Sequence, residues 1–286
     1  MRIHPTDPRL YLVELPDFRE TPQPPQVQEN LEPLTTIVNW ATDYLCRPHP
    51  ELGRTGAVCP FTQPSLRRNL FFLTVIRGAE LRLDDVEEVV RAYRDWFMEM
   101  PPTEPKQAQY KTVNIIFPDL PEEAWKTLIE ATQDRLKAEY VPHGIMIGEF
   151  HPGPPDKAAL WNANFRPLHC PLPMLVIRHM VPTDFVFLRD REDFMSAYLR
   201  LQGDRIPPVI IKDVRLAAAA FGLPMPGEAV VREAVQAAGD AVPGAVPAEC
   251  PAHAHAAADA ADRAAPPASR CPEDAVPEPA LTSTRA

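Results

Sequence analysis

Two connections rich in glycine and proline carry most of the residues that could do chemistry. The first spans residues 49–64 and contains Cys59, and the second spans residues 151–173 and begins with His151. Loops of this length inside a compact domain are uncommon and usually serve a function. Glycine and proline fix the backbone of such loops rather than fill a core. We therefore expect any chemistry to lie within residues 49–179.

Cys59 is the candidate nucleophile of the first connection. Free cysteines are often small buried hydrophobes, so one interpretation gives Cys59 only a packing role. The other makes it a thiolate nucleophile or a metal ligand, which requires a lowered pKa. Pro60 follows it, and its fixed backbone without an N–H donor weakly favours the second interpretation.

Two histidines adjoin predicted strands. His151 follows a buried strand and precedes Pro-Gly, so it either caps the strand end or serves as an axial ligand or acid–base group. His179 lies in an apolar strand beside Arg178, and side-chain alternation puts one of the two on the core face. His179 is therefore either a core histidine or a catalytic one.

Charged side chains in the same region could bind ionic groups. Arg54, Arg166 and Arg178 could hold carboxylates through bidentate contacts, although each could equally form a surface salt bridge. Glu149 sits near a strand end, where its carboxylate could hold a cationic substrate or face water.

The sequence lacks the features that are typical of several other classes of protein. The chain has no dinucleotide-binding glycine motif, no Walker A motif, no serine-hydrolase elbow and no H-E-x-x-H motif. Its formal net charge of −10 and lack of a basic run argue against nucleic-acid binding. The five cysteines include no C-x-x-C pair, which argues against a zinc ribbon. The chain shows no apolar run of about 18 residues and no signal peptide, so we expect a cytoplasmic protein.

Hydrophobic periodicity predicts the elements that must position these residues. Helical spacing and near-continuous apolar runs give the order α, β, α, β, α, β, β, α. This order predicts an α+β fold with a four-stranded, mainly antiparallel sheet in the ferredoxin-like style, covered by helices. The predicted strands span 69–76, 112–117, 145–150 and 174–180, and the predicted helices span 32–46, 84–97, 119–140 and 191–202. A shorter helix near 213–221 is expected to close the fold.

The composition divides the chain into three parts. Residues 1–26 are predicted to form an extended proline-rich arm, and residues 27–226 a single α+β domain. Residues 227–286 are rich in alanine and proline and lack apolar clusters, so we expect a disordered tail. The tail holds His253 and His255, a weak candidate for a metal site.

Short motifs in both connections resemble a known group of proteins. They are Cys59-Pro60-Phe61, Phe150-His151-Pro152 and Pro171-Leu172-Pro173. Together they resemble a superfamily of small bacterial proteins that includes the YcgG-like proteins and related domains of unknown function. The resemblance covers about the first three quarters of the chain. It is closest to the branch of heme proteins that N-hydroxylate L-arginine in cycloserine-type antibiotic biosynthesis.

This resemblance implies a heme b between the sheet and the two connections. The implied axial ligand is His151, with Cys59 as the alternative, because heme iron accepts either a histidine or a thiolate. Arg54, Arg166 and Arg178 would bind the heme. The implied groups at the substrate, which include carboxylates able to hold a guanidinium, are Glu149, Asp156, Asp184 and His179.

The implied reaction is N-hydroxylation of the guanidino group of L-arginine with O₂. A separate reductase would supply electrons, because the chain carries no flavin or iron–sulfur motif. A homodimer is possible. Two alternatives remain open: a cofactor-free thiol enzyme that uses Cys59, and a non-catalytic protein that binds a small molecule or a partner.

Overall fold

The computed structural model describes residues 1–226 of the chain. The predicted disordered tail, with His253 and His255, lies outside the described residues. Within residues 1–226, no helix has the length and apolarity needed to cross a membrane.

The described residues form six strands and eight α-helices, and each of the four predicted strands is among them. The strands are β1 (Arg2–Ile3), β2 (Tyr11–Leu12), β3 (Phe71–Val75), β4 (Thr112–Ile116), β5 (Ile145–Phe150) and β6 (Met174–His179). The helices are α1 (Pro25–Glu29), α2 (Leu31–Trp40), α3 (Thr62–Arg67), α4 (Leu83–Glu99), α5 (Pro105–Ala108), α6 (Ala131–Tyr140), α7 (Glu192–Gln202) and α8 (Ile211–Ala220). Two π-helical segments adjoin them: Ala41–Leu45 continues α2, and Trp125–Glu130 leads into α6.

The main sheet is mixed, with the strand order β3-β4-β6-β5. β3 and β4 are parallel, with Phe71 opposite Thr112, whereas β6 runs antiparallel to both of its neighbours. The prediction of a mainly antiparallel, ferredoxin-like sheet is therefore wrong. The reason is α4, which crosses over between β3 and β4 and so allows them to pair in parallel.

Residues 1–26, predicted as an extended arm, carry short regular elements. β1 and β2 form a two-stranded antiparallel sheet. Val13 then exchanges backbone hydrogen bonds with Leu73 of β3, at 2.7 and 3.0 Å. Leu12 and Val13 are fully buried, so this segment is part of the core.

The two faces of the main sheet have different coverings. One face packs its alternate side chains, among them Phe72, Ile115 and Ile177, against α4 and α6. The other face packs Phe71 and Leu73 beneath α2. A separate apolar cluster joins α7 and α8. On the α2 face, the two long connections meet over the rest of the sheet.

Candidate functional site

A cavity of about 280 Å³ lies between the α2 face of the sheet and the two long connections. We call it the sheet cavity. Small-molecule sites usually measure about 300–1,000 Å³, so its volume is close to the lower end of that range. Its floor comes from β3, β4, β5 and β6, through Phe71, Thr112, Asn114, Phe150, Met174, Val176 and Arg178.

The two connections contact each other directly above the sheet cavity. Asn162 Nδ2 donates a hydrogen bond of 2.7 Å to the carbonyl of Glu51. The guanidinium of Arg54 lies 5.2 Å from the centre of the Trp161 ring. Gly53 has a φ of +77°, and a Cβ there would approach the carbonyl oxygen of Trp161 to 2.6 Å. A side chain at Gly53 would therefore strain its own backbone and push the connections apart.

Cys59 lies in the wall of the sheet cavity as a free, half-buried thiol. Its backbone N–H donates to the carbonyl of Leu45 at 2.8 Å, which ties it to the end of the π-helical segment after α2. Cys46, the neighbouring free thiol, is not among the residues that line the cavity. The structure thus brings a sulfur to the cavity wall at the position that the sequence singled out.

Arg178 and Asp184 form the principal ion pair of the sheet cavity. Arg178 donates two hydrogen bonds, of 2.7 and 2.6 Å, to the two carboxylate oxygens of Asp184. Asp184 also accepts one of 2.8 Å from the backbone of Val181, and its side chain is buried. Both oxygens are therefore engaged, and the guanidinium that Asp184 holds is that of Arg178.

The other two arginines have different positions. Arg54 lines the sheet cavity and donates to the carbonyls of Thr55 and Val58 at 2.9 and 3.1 Å. It makes no salt bridge with a carboxylate of the described residues, so its charge is available to an anionic ligand. Arg166 pairs with the exposed Asp156 at 2.8 Å and does not line the sheet cavity.

Lys111 also lines the sheet cavity, but its ammonium is hydrogen-bonded to backbone carbonyls. Its ammonium donates to the carbonyl of Phe97 at 2.7 Å and to that of Met100, at the C-terminal end of α4. Burial lowers the pKa of Lys111 to about 8, and the Arg2 charge acts in the same direction. Lys111 therefore stabilises the end of a helix.

His151 lies on the opposite face of the sheet from Cys59. Phe150 faces the sheet cavity, so the next residue along the strand direction points the other way. The His151 ring is buried against Trp125, with its Nε2 3.2 Å from a carboxylate oxygen of Glu130. Burial lowers the pKa of His151, although Glu130 opposes this shift. Of the two alternative ligands that the sequence suggested, only Cys59 lines the sheet cavity.

His179 also lies away from the sheet cavity. Its ring packs against Phe97 of α4, with the ring centres 4.9 Å apart. Burial, aided by the nearby Lys111 charge, lowers the pKa of His179 to about 4. Because side chains alternate between the two faces of β6, Arg178 lies in the cavity and His179 lies against the helices.

Glu149 lines a second, smaller cavity of about 50 Å³ at the edge of β5. Its buried carboxylate forms an ion pair with Lys157 of the second connection, and burial raises the pKa of Glu149. The Lys157 ammonium also donates a hydrogen bond of 2.9 Å to the side-chain oxygen of Gln133. Sequence reasoning missed Lys157, because a single loop lysine has no pattern that distinguishes it from a solvated one.

The sheet cavity can bind a largely apolar molecule that carries acidic groups. Aromatic and aliphatic side chains make most of its wall, and Arg54 adds an unbalanced positive charge. Among residues 1–226, no group of three or more histidine, cysteine or acidic side chains is placed to hold a bare metal ion. A single sulfur can serve as the protein ligand of a metal whose other ligands belong to a macrocycle.

Comparison with known proteins places the chain in a family. A family model described as "Domain of unknown function (DUF6875)" matches residues 34–213, which is more than half of the 286-residue chain. This range contains both connections and every residue named as lining the sheet cavity. No curated protein matches the chain, and no solved structure matches it.

Proposed function

The chain belongs to the DUF6875 family, and from the lining of its sheet cavity we propose that it is a heme-dependent monooxygenase. In this proposal the sheet cavity would hold a heme b, and the Cys59 sulfur would bind its iron. The observation that carries it is the position of Cys59, a free thiol in the wall of an apolar cavity that also presents Arg54 and Arg178.

The donor groups of the sheet cavity fit this cofactor. A thiolate ligand supplies heme with electron density that favours cleavage of the O–O bond. The carboxylates of the heme edge would pair with Arg54, whose guanidinium has no carboxylate partner among residues 1–226. Phe71, Phe150 and Val176 supply apolar surface. The cavity of about 280 Å³ is smaller than a heme, so its roof, which consists of loops, would have to move outward to hold one.

Cys59 replaces His151 as the preferred ligand because of the sheet geometry. His151 is 1% exposed and faces Glu130 and Trp125 on the α6 side. An iron held at His151 would lie across the sheet from Arg54 and Arg178. The sheet cavity therefore supports the thiolate alternative, while the buried His151 pairs with the half-buried Glu130 on the α6 side.

The proposed substrate is the guanidino group of L-arginine, which rests on the resemblance carried by Cys59-Pro60-Phe61 and Phe150-His151-Pro152. One oxygen atom of O₂ enters an N–H bond and the other leaves as water, which consumes two electrons and two protons. A separate reductase supplies the electrons. Since Asp184 is engaged by Arg178, its contribution is to orient Arg178 within the cavity.

An absorption spectrum of the full chain, purified from heme-supplemented cells, tests the proposal. We expect a Soret band that is lost in Cys59→Ala and retained in His151→Ala. Cys46→Ala is the matched control, because it removes a neighbouring free thiol that does not line the cavity. Loss of the band in His151→Ala, with Cys59→Ala unchanged, would reverse the ligand assignment.

The same position of Cys59 favours a second function, that of a cofactor-free thiol enzyme. A colourless protein that hemin cannot reconstitute would exclude the heme proposal. If an alkylating reagent then modified Cys59 faster than Cys46, the thiol function would take its place. Equal modification of both thiols would exclude that function as well.

A further inference from the structure

Cys46 and Cys59 lie on two chain segments that run side by side. The backbone N–H of Cys59 donates to the carbonyl of Leu45, and that of Val58 donates to the carbonyl of Arg47, both at 2.8 Å. Cys46 is the residue between these two carbonyls. The fold therefore holds Cys46 directly against the segment that carries Cys59.

The pairing of the two segments brings the thiols within reach of a disulfide. Pro48 and Ala57 form an antiparallel bridge two residues further along. The 2.8 Å hydrogen bond from Cys59 to the Leu45 carbonyl, which belongs to the same peptide unit as the Cys46 nitrogen, keeps the Cα atoms of the two cysteines within about 7 Å of each other. Disulfides require about 4.4–6.8 Å. The backbone separation of Cys46 and Cys59 therefore suits a disulfide that forms by rotation of the two side chains.

The two thiols differ in their surroundings. Both are free and half-buried, but only Cys59 lines the sheet cavity. Cys59 is therefore the thiol that a small oxidant in the cavity meets first, and Cys46 is the neighbouring thiol that can attack second.

We propose that Cys46 and Cys59 are an oxidation site, which a hydroperoxide converts into a disulfide. The Cys59 thiolate attacks one peroxide oxygen, the O–O bond breaks, and hydroxide leaves, so Cys59 becomes a sulfenic acid. Cys46 then attacks the Cys59 sulfur, the S–O bond breaks, and hydroxide takes up the Cys46 proton to leave as water. Each sulfur loses one electron, and the two peroxide oxygens gain one electron each.

The disulfide withdraws Cys59 from the wall of the sheet cavity. A chain in this oxidised form cannot offer a thiolate to a ligand there, and reduction by a dithiol restores it. The inference goes beyond the proposed function and does not need heme, because it concerns only two protein thiols. Failure of heme binding would leave it standing.

Peptide mapping of the full, heme-free chain tests the proposal. The native protein is treated with a small excess of hydrogen peroxide, alkylated, and digested with trypsin without reduction. We expect a disulfide between peptides 20–54 and 55–67, which contain Cys46 and Cys59 respectively. The same treatment in urea should lower the yield of this link several-fold, because the pairing depends on the fold.

Variants separate the two roles. Cys46→Ser should leave Cys59 as a sulfenic acid that dimedone traps, and Cys59→Ser should leave Cys46 largely unmodified. Cys170→Ser is the matched control and should keep the link, because Cys170 is fully buried and burial raises its pKa to about 12. Both thiols remaining reduced, a dominant link to another cysteine, or equal yields in native and urea-treated protein would each overturn the proposal.

Discussion

Replacing His179 should remove a specific part of the dependence of stability on pH. Its ring packs against Phe97, and its Nε2 is buried with no hydrogen-bond partner among the residues that the structure describes. Burial first, and the Lys111 charge second, lower its pKa from 6.5 to about 4. The fold therefore favours the neutral ring. His179→Leu keeps an apolar side chain in this position and eliminates the titration.

The size of the effect follows from the shift in the His179 pKa. A difference of two and a half units, at about 1.4 kcal/mol per unit, gives an upper value of about 3.5 kcal/mol. The ring keeps some contact with solvent, so we expect about 2 kcal/mol. Since the folded pKa lies below the unfolded one, the unfolded chain takes up the proton first. The contribution is fully present above pH 6.5 and is lost as the pH falls toward 4.

Urea unfolding at pH values from 7.5 to 4.5 measures this difference. The wild-type protein should lose about 2 kcal/mol more of its free energy of unfolding over this range than His179→Leu does. His143→Leu, which removes an exposed histidine, should keep the wild-type dependence. Parallel curves for wild type and His179→Leu would refute the argument, because His179 would then not be the titrating group.

Two further substitutions test contacts that hold the site and the sheet. Asp184→Asn leaves the Arg178 guanidinium without its counter-ion. Since Arg178 is 33% exposed, we expect the free energy of unfolding to fall by about 2 kcal/mol rather than by the ~3–5 kcal/mol of a fully buried pair. Urea unfolding measures this change, and an unchanged midpoint would contradict the importance of the pair. Tyr93→Phe removes hydrogen bonds of 2.8 Å with Thr74 and 3.2 Å to Tyr11, and it should lower the stability measured by thermal unfolding by about 1–2 kcal/mol. Tyr110→Phe should cost much less, because the Tyr110 hydroxyl, half-buried in the cavity wall, has no hydrogen-bond partner among residues 1–226.

The separation of His151 from Cys59 shows how strongly a strand constrains its neighbours. Phe150 ends β5 facing the sheet cavity, and His151 follows it toward Trp125 and Glu130. The alternation that produces this result is visible in the sequence. The sequence does not show which face of the sheet carries the cavity, because that depends on where α2 and the two connections pack.

The sequence by itself determined the local elements. Apolar runs predicted strands that the structure confirms, including β5 at Ile145–Phe150. Helical spacing predicted the region from residue 32 to residue 46, which forms α2 and its π-helical continuation. These patterns are readable because each depends on residues a few positions apart, which bury one side of the same element.

Only the tertiary structure decided which elements meet. The parallel pairing of β3 with β4 depends on the path of α4, and no residue of either strand encodes the direction of its partner. The sheet cavity depends on contacts such as Asn162 with Glu51, which are 111 residues apart. The position of Cys59 in its wall, and of His151 behind the sheet, follows from these long-range contacts. Their geometry is set by packing across the whole domain, and local sequence patterns carry no record of it.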